Sequence, residues 1–370
     1  MRQKNKQKEW SSPYNEFNSI KILHFKEHLQ SIVSGNFLPP ITVDVDPANL
    51  CNFNCIWCNA KGFRSKHSSV MPRGHLLKLA DFYKEWGVKS ACVAGGGEPM
   101  LNPDFAPFLK RLYENGIKSG VISNGSLLNK ENAEAVAKYS SWCGISMDAG
   151  SSEVFMKIKE IEDEEMFDKV INNIKGLVAV KKRLNSKVEI TYKYLLHPYN
   201  VKDIYRAAKL AKSLAMNTFH LRPVCWDNLY GQKHDKPINF SDYVGTIESE
   251  IEKASALEDE HFRFYSVRHK FGENFERKIN FKKCLATPLL ATFGADGNVH
   301  LCFDVRGKEE WILCKHYPDP RKILKIWGSP RHKKIINSIN VNKCPRCTFG
   351  PYNEIIEKAI IKDDMFLDFI

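Results

Sequence analysis

CNFNCIWC, residues 51–58, is the stretch that decides the fold of this chain, because it sets Cys51, Cys55 and Cys58 in a C-x3-C-x2-C spacing. It follows an apolar, strand-like run at 41–45. Three thiolates within one short loop can converge on a single inorganic centre, since Cys is the soft ligand that iron–sulfur clusters select. A four-iron cluster held by three cysteines keeps one iron free for a group that is not protein. A zinc site or a structural group of cysteines is the alternative for these three residues alone.

The spacing resembles that of the radical S-adenosylmethionine (radical SAM) superfamily, and two further features carry the resemblance. Trp57 is the aromatic residue that precedes the third cysteine in most members, and GGGEP at 95–99 ends the next strand-like run. The resemblance implies a 4Fe–4S cluster whose open iron is chelated by S-adenosylmethionine, which is cleaved reductively to methionine and a 5′-deoxyadenosyl radical. The glycine-rich turn, with Gly96, Gly97 and Glu98, resembles the segment that holds the methionine amino group.

Length and composition describe an ordinary globular protein. A chain of 370 residues exceeds the usual size of one domain, so we expect two. Hydrophobic residues make up 43% and charged residues 26%, without an apolar run long enough to span a membrane or a secretory signal at the start. We therefore expect a cytoplasmic protein, in which eleven cysteines serve metal ligation more than disulfides.

The formal net charge is +12, which bears on partners. The lysines are spread along the chain without a dense tract, so the sequence argues against nucleic-acid binding. A site cluster needs an electron from a flavodoxin- or ferredoxin-like donor, and such donors are acidic, so a basic surface would speed their encounter. The alternative is that the charge only confers solubility.

Strand-like and helix-like stretches alternate from residue 41 to about residue 225, which predicts an α/β fold with a parallel sheet. This pattern resembles the partial, six-stranded parallel β/α barrel of radical SAM enzymes, in which the site lies at the carboxyl ends of the strands. The predicted strands are 41–45, 90–94, 118–123, 142–147, 187–196 and 217–224. The predicted organisation is an extension with a short helix at 1–40, the barrel at 41–240, a connecting helix and linker at 241–283, and an auxiliary-cluster domain at 284–370.

Several polar residues at predicted strand ends are candidate cofactor contacts. Asn124 ends the third strand, although Asn-Gly is also an ordinary turn. Ser146 and Asp148 in SMDAG resemble the family's serine-and-acid strand end, which suits the ribose diol and methionine amine. Lys159 lies where relatives often carry an arginine for the methionine carboxylate, and Arg222 near the end of the sixth strand is a further candidate.

The catalytic candidates are Tyr194, His220 and Arg222, on the fifth and sixth strands. Alternation places Tyr192 and Tyr194 on one face of the fifth strand, and His220 and Arg222 on one face of the sixth. Faces that point inward would line the cavity above the cluster, whereas outward faces would pack under helices. Both alternatives remain for the tyrosines, and the sequence does not identify a general base.

A second cysteine pattern occupies the last third of the chain. ATFGADGNVHLC predicts two short strands joined at Asp296-Gly297. Cys302 ends this segment, Cys284 precedes it, and a C-x2-C pair follows later. This arrangement resembles the shorter auxiliary-cluster domain of radical SAM enzymes, called the twitch domain. The resemblance implies a second 4Fe–4S cluster, with four candidate ligands, Cys284, Cys302, Cys344 and Cys347.

Two alternatives stay open for these cysteines. Four thiolates with a terminal C-x2-C pair would also suit a tetrahedral structural zinc. Cys314 lies within the same third of the chain, either as a small buried apolar residue or as another ligand. The longer SPASM form would add two cysteines after the C-x2-C pair, and 348–370 contains none, so we expect one auxiliary cluster.

The substrate class is the least determined feature. Small polar molecules, such as sugars or aminocyclitols, are handled by the relatives that this twitch-like pattern most resembles, with oxidation or epimerisation as the outcome. Peptide maturases are the alternative, but they generally carry a leader-binding domain or more cysteines. The predicted leading helix at 20–34 is too small for such a domain. A zinc-stabilised binding protein is the non-enzymatic alternative.

Overall fold

The computed structural model describes residues 18–224, 238–267, 279–344 and 347–361. Within them the strands form one ten-stranded sheet with the order β10-β9-β8-β1-β2-β3-β4-β5-β6-β7. The strands are β1 Thr42–Val45, β2 Ser90–Val93, β3 Lys118–Ser123, β4 Ser140–Ser146, β5 Glu189–Leu196, β6 Thr218–Pro223, β7 Arg263–Ser266, β8 Leu290–Phe293, β9 Asn298–His300 and β10 Ile312–Lys315.

The strands from β1 to β7 are parallel in chain order, each paired with the next. This confirms the predicted α/β fold, a partial parallel β/α barrel, and all six predicted strands occur. The strand β7 was not predicted. Its short run RFYS adds a seventh parallel strand beside β6 and ends the barrel on that side.

The α-helices of the described residues lie before, between and after the strands along the chain. They are α1 Lys26–Ser34, α2 Lys61–Lys66, α3 His75–Trp86, α4 Phe105–Glu114, α5 Lys130–Tyr139, α6 Ser152–Lys159, α7 Met166–Arg183, α8 Ile204–Ser213, α9 Val244–Ser255, α10 Pro330–Asn337 and α11 Gly350–Ile355. The predicted leading helix is a 3-10 turn followed by α1, which ends at Gly35 in the left-handed conformation. A glycine there closes the helix without steric cost.

The outer faces of β5 and β6 are aromatic, and this decides where the tyrosines point. Phe219 stacks on Tyr192, Tyr194 and Phe264 with ring centroids 5.3–5.4 Å apart. The Tyr194 hydroxyl donates a hydrogen bond to the carbonyl of Asn200, in the helical turn before α8. Both tyrosines therefore pack under helices, and the prediction of Tyr194 as a catalytic residue lining the cavity is wrong.

The C-terminal strands continue the barrel sheet. The strand β8 pairs in parallel with β1, and β9 runs antiparallel to β8, as the predicted hairpin required. Arg306, after this hairpin, pairs with Asp46 at the end of β1; both side chains are buried. The proposed division into domains stays a prediction. No helix within the described ranges is long and apolar enough to cross a membrane.

Candidate active site

The cysteine loop follows β1 at the carboxyl end of the sheet and is held by the end of α6. The amide of Asn54 donates to the carbonyl of Lys159 at 3.1 Å, and that of Ile56 donates to Ile158 at 3.0 Å. These two bonds satisfy carbonyl groups that a helix leaves without partners at its C-terminus. Cys51, Cys55 and Cys58 lie on this loop as partly buried, free thiols. The pKa of Cys55 is raised to about 12, chiefly by burial, while Lys159 lowers it and the neighbouring cysteines contribute to the rise.

The glycine-rich turn after β2 packs directly on the backbone that leads into this loop. The amide of Gly97 donates to the carbonyl of Ala48 at 3.0 Å, and that of Glu98 donates to Leu50 at 2.8 Å. A Cβ atom on Gly97 would lie 1.8 Å from the Leu50 carbonyl oxygen, and one on Gly96 would lie 2.5 Å from Asn49 Oδ1. The glycines are therefore required for the close approach of the two segments.

The Glu98 carboxylate ties the ends of β2 and β3 together. Oε2 accepts from the amide of Asn124 at 2.8 Å, and Oε1 accepts from Ser123 Oγ at 2.8 Å and from the amide of Met100 at 3.1 Å. Burial raises the pKa of Glu98 to about 7, although these hydrogen bonds lower it. This side chain stabilises the turn and has no oxygen free of protein donors.

Asn124, at the end of β3, lies beside the cysteine loop, and its contact with the cofactor stays a prediction. Its Nδ2 atom lies 2.9 Å from Asn52 Oδ1 and 3.9 Å from Cys51 Sγ. Its Oδ1 atom accepts from the amide and hydroxyl of Ser126. The end of β3 therefore contacts the loop at a cysteine, through a donor whose orientation is fixed by its neighbours.

Asp148 and Lys159 form a buried ion pair at 2.5 Å, with each side chain almost completely inaccessible. The second oxygen of Asp148 accepts from the amide of Leu195 at 2.7 Å. Both carboxylate oxygens are thus occupied, and the ammonium group has a carboxylate partner. The predicted cofactor contacts of Asp148 and Lys159 stay predictions. The pair joins the end of β4 to the end of α6.

Trp57 is buried against His197, with ring centroids 5.2 Å apart. His197 follows β5 and also contacts Tyr199 at 4.8 Å. Burial lowers the pKa of His197 to about 4, so the imidazole is neutral at ordinary pH. The sequence did not identify His197, because a histidine after a strand also fits a turn, and here it caps one.

The inner faces of β5 and β6 carry polar side chains. Lys193 Nζ lies 2.9 Å from His220 Nδ1, and these two residues are direct neighbours across the sheet. Lys193 also lies over the ring of Trp142, on β4, at 5.4 Å. Alternation places Arg222 on the face of His220, and Ser146 is the register neighbour of Lys193. The inward residue of β5 is thus Lys193, which sequence reasoning passed over for the tyrosines beside it.

The four C-terminal cysteines line a single cavity. Its wall also includes Thr287, Asp304 and Asn353, among mostly apolar residues, and the cysteines are Cys284, Cys302, Cys344 and Cys347. Asn353 Nδ2 lies 3.8 Å from Cys347 Sγ, and its Oδ1 accepts from the amides of Leu285 and Ala286. Asp304 Oδ2 accepts from the amide of Thr348 at 3.0 Å. Side chains of the wall thus join the cysteine-bearing segments to one another.

The four thiol groups of this cavity suit a metal centre. Burial raises the pKa of Cys284 and of Cys347 to about 12, which disfavours their thiolate forms. Bound metal cations offset this effect, because they stabilise thiolates. Across the described ranges, no group of three His, Cys, Asp or Glu side chains is arranged to hold one metal ion. Cys314, on β10, is not part of the cavity wall.

Comparison with known proteins identifies relatives of this chain. The sequence model of the family described as Radical SAM superfamily matches residues 45–211. A Saccharolobus islandicus protein described as "Probable GTP 3',8-cyclase" is 26% identical over 219 residues, 58% of this chain and 67% of the relative. The S-adenosylmethionine-dependent nucleotide dehydratase of Flammeovirga pacifica is 30% identical over 129 residues, 34% of this chain and 43% of the relative.

Among solved structures, the chain is similar to SuiB of Streptococcus suis bound to the precursor peptide SuiA. The TM-score is 0.61 at 17% sequence identity, and the match covers 97% of this chain and 81% of SuiB. At this identity the similarity concerns the fold.

Proposed function

Because this chain belongs to the radical SAM superfamily through residues 45–211, we propose that it cleaves S-adenosylmethionine and then abstracts a hydrogen atom from a small polar substrate. Cys51, Cys55 and Cys58 are the proposed ligands of the site cluster. When bound, the cluster supplies the electron for the cleavage and holds the cofactor at its open iron. The remaining steps depend on how the chain's own residues position cofactor and substrate.

One observation carries the proposal: three strand ends meet at the cysteine loop. The glycine-rich turn after β2 donates two amides to the backbone before Cys51, and Asn124 after β3 reaches the Cys51 sulfur. Cofactor contacts are proposed for the backbone of Gly96 and Gly97 and for side chains at the same edge, namely Trp57, Asn124, Ser146 and Arg222. Glu98, Asp148 and Lys159 stabilise this edge from behind.

The proposed second centre is one 4Fe–4S cluster in the C-terminal cavity, held by Cys284, Cys302, Cys344 and Cys347. Four thiolates would cap every iron, so this centre would not chelate substrate. Its proposed role is electron transfer or support of the substrate pocket. Arg306 lies four residues after Cys302 and pairs with Asp46, which connects this region to the end of β1.

The inner faces of β5 and β6 support a small polar substrate. Lys193 and His220 lie in hydrogen-bonding distance on these faces, and Arg222 shares the face of His220. His220 and Arg222 remain the proposed catalytic candidates, now with Lys193 beside them. Two relatives are described as acting on nucleotides, which are small and polar.

Dehydrogenation or epimerisation is the proposed outcome for a sugar- or aminocyclitol-like substrate. The names of the two relatives describe a cyclase and a dehydratase. A peptide substrate is the second candidate, favoured by the extent of the structural match to SuiB. The proposed electron donor is an acidic flavodoxin- or ferredoxin-like protein, which the net charge of +12 would attract.

Anaerobic cleavage assays test the chemistry. Reconstituted protein with dithionite should convert S-adenosylmethionine to 5′-deoxyadenosine, and the triple replacement of Cys51, Cys55 and Cys58 by Ala should abolish this. Cys314→Ala is the matched control and should retain cleavage, because Cys314 lies outside both cysteine groups. Cleavage that persists in the triple variant would refute the ligand assignment.

Substrate class is tested by the same cleavage assay with added candidates. One set of candidates contains nucleotides, sugars and aminocyclitols, and the other contains peptides. The small molecules should stimulate 5′-deoxyadenosine formation more than the peptides do. A stimulating, deuterated small molecule should transfer deuterium into 5′-deoxyadenosine. Stimulation and transfer by peptides alone would overturn the small-molecule proposal and favour the maturase.

A further inference from the structure

Arg64 is a cation placed directly against the cysteine loop. It lies on α2, the short helix that follows the loop. Its Nη1 atom donates to Cys58 Sγ at 3.6 Å, and its Nη2 atom donates to the carbonyl of Phe53 at 3.3 Å. The Nε atom is buried and has no hydrogen-bond partner.

The charges around the loop single out Arg64 among its neighbours. Lys159 is also near Cys55, but Asp148 neutralises it at 2.5 Å. Lys61 shares α2 with Arg64 and pairs with Glu160 at 3.1 Å. Within the part of the chain that the structure describes, Arg64 forms no ion pair with a carboxylate. Arginine stays charged at any ordinary pH, so its natural counter-charge here is the set of ligating thiolates.

We propose that Arg64 is a positioning residue that balances the negative charge of the site cluster and raises its reduction potential. The inference rests on the proposed function, since it takes Cys51, Cys55 and Cys58 as the ligands. Reduction adds one negative charge to the cluster, and a fixed cation close to a ligating sulfur stabilises the reduced form more than the oxidised form. Hydrogen bonds to ligating sulfurs act in the same direction.

Arg64 also has a structural contact, which the test must separate from the electrostatic one. Its Nη2 bond to Phe53 holds α2 against the loop, and any neutral replacement removes that bond as well as the charge. Lysine keeps the charge but cannot form both bonds of the guanidinium fork. Comparison of Arg64→Lys with Arg64→Gln therefore distinguishes charge from clamping. Lys61→Gln is the matched control, because it removes a charge from the same helix without contact to a sulfur.

The experiment is an EPR-monitored redox titration of the site cluster in the reconstituted full chain, with iron content measured on the same samples. The midpoint potential should become more negative in Arg64→Gln, stay near the wild-type value in Arg64→Lys and be unchanged in Lys61→Gln. If Arg64→Gln fails to assemble the site cluster while Arg64→Lys assembles it, the positive charge at this position is required, which supports the proposal.

Two results would overturn the inference. One is a wild-type midpoint potential in Arg64→Gln with full iron content. The other is loss of iron from both Arg64 variants, which would make the guanidinium a structural clamp. If the proposed function itself is wrong, the result is different. The EPR spectrum of the wild-type protein then contains no signal that the triple cysteine replacement removes.

Discussion

Asp44 illustrates how a single residue acquires unusual chemistry from its position in the sheet. It lies on β1 opposite Cys92 of β2 and is buried. Burial raises the pKa of Asp44 to about 7, while Arg306 lowers it and Asp46 raises it further. A carboxyl group at this position is therefore close to half-protonated at neutral pH. An Asp within a strand is not itself informative, so this property of Asp44 was not predicted.

Asp44→Asn should make the stability of the protein less dependent on pH. Unfolded Asp44 releases its proton near its ordinary pKa of 3.8, whereas folded Asp44 keeps it until about 7. The folded state binds more protons between these values, so the free energy of unfolding falls as pH rises through that window, by at most about 4 kcal/mol. Urea denaturation of the anaerobic metal-free protein at several pH values measures this. If the free energy of unfolding depends on pH equally in the variant and the wild type, the raised pKa of Asp44 is contradicted.

Gly97→Ala should destabilise the cysteine loop itself. The new Cβ atom would lie 1.8 Å from the Leu50 carbonyl oxygen, so backbone must move, at a cost of about 3 kcal/mol. Iron content and the free energy of unfolding should fall together. Gly176→Ala is the control, because a Cβ atom there meets nothing within 4 Å, and alanine favours α7. If the Gly97→Ala protein is as stable as the wild type and only binds the cofactor more weakly, the turn binds the cofactor and does not stabilise the loop.

At the scale of elements, the C-terminal end of α6 supports the cysteine loop. The carbonyls of Ile158 and Lys159 accept amides of the loop, and the Lys159 side chain pairs with Asp148 after β4. Asp148 has a positive φ of 60°, which a short polar residue tolerates better than most. The ion pair therefore fixes α6 relative to the sheet, and α6 in turn fixes the loop.

Lys159→Met should cost about 3–5 kcal/mol of stability, because it leaves the buried Asp148 carboxylate without its counter-charge. Adding Asp148→Asn to Lys159→Met should restore part of this loss, since no unpaired charge then remains buried. A double-mutant cycle in urea measures the coupling. The two side chains do not act as a pair if their effects simply add. Asp148→Asn would then lower the free energy of unfolding by the same amount in the wild type and in Lys159→Met.

The sequence predicted elements and motifs better than it predicted faces. Strand periodicity located six of the parallel strands, and the end of β3 with Asn124 lies beside the loop. Alternation alone does not say which side of β5 faces the helices, so Tyr194 was chosen where Lys193 faces inward. The strand β7, as short as β1 and β2, was not predicted, because the predicted alternation of strands and helices ended near residue 225. Contacts such as Arg64 with Cys58 depend on tertiary packing that no local pattern records.

At the scale of the whole molecule, the region of the second cysteine group is joined to the barrel by backbone pairing. The strand β8 lies along β1, with Thr42 opposite Leu290 and Val45 opposite Phe293. The buried pair of Arg306 with Asp46 adds a side-chain connection at the same place. Both proposed cluster regions therefore connect to β1, one directly in sequence and one through the sheet.

Removal of all residues from 284 onwards should make the remaining chain aggregate. The truncation exposes the backbone edge of β1 and the apolar surface that β8 covers, and an open, apolar strand edge favours association. A chain that ends at residue 361 retains every strand of the sheet and serves as the control. Size-exclusion chromatography of the soluble fractions compares the two. A monomeric, folded product that ends at residue 283 would show that the barrel does not need β8.

We propose that this chain holds one site cluster on the loop after β1 and one auxiliary cluster in the C-terminal cavity. Iron content per chain, measured after anaerobic reconstitution of matched variants, tests it most directly. The wild type should contain about eight irons and the triple Cys51, Cys55 and Cys58 variant about four, because each cubane holds four. Replacement of Cys284, Cys302, Cys344 and Cys347 should also leave about four irons. A wild type with about four irons, or zinc in the C-terminal cavity, would contradict the claim.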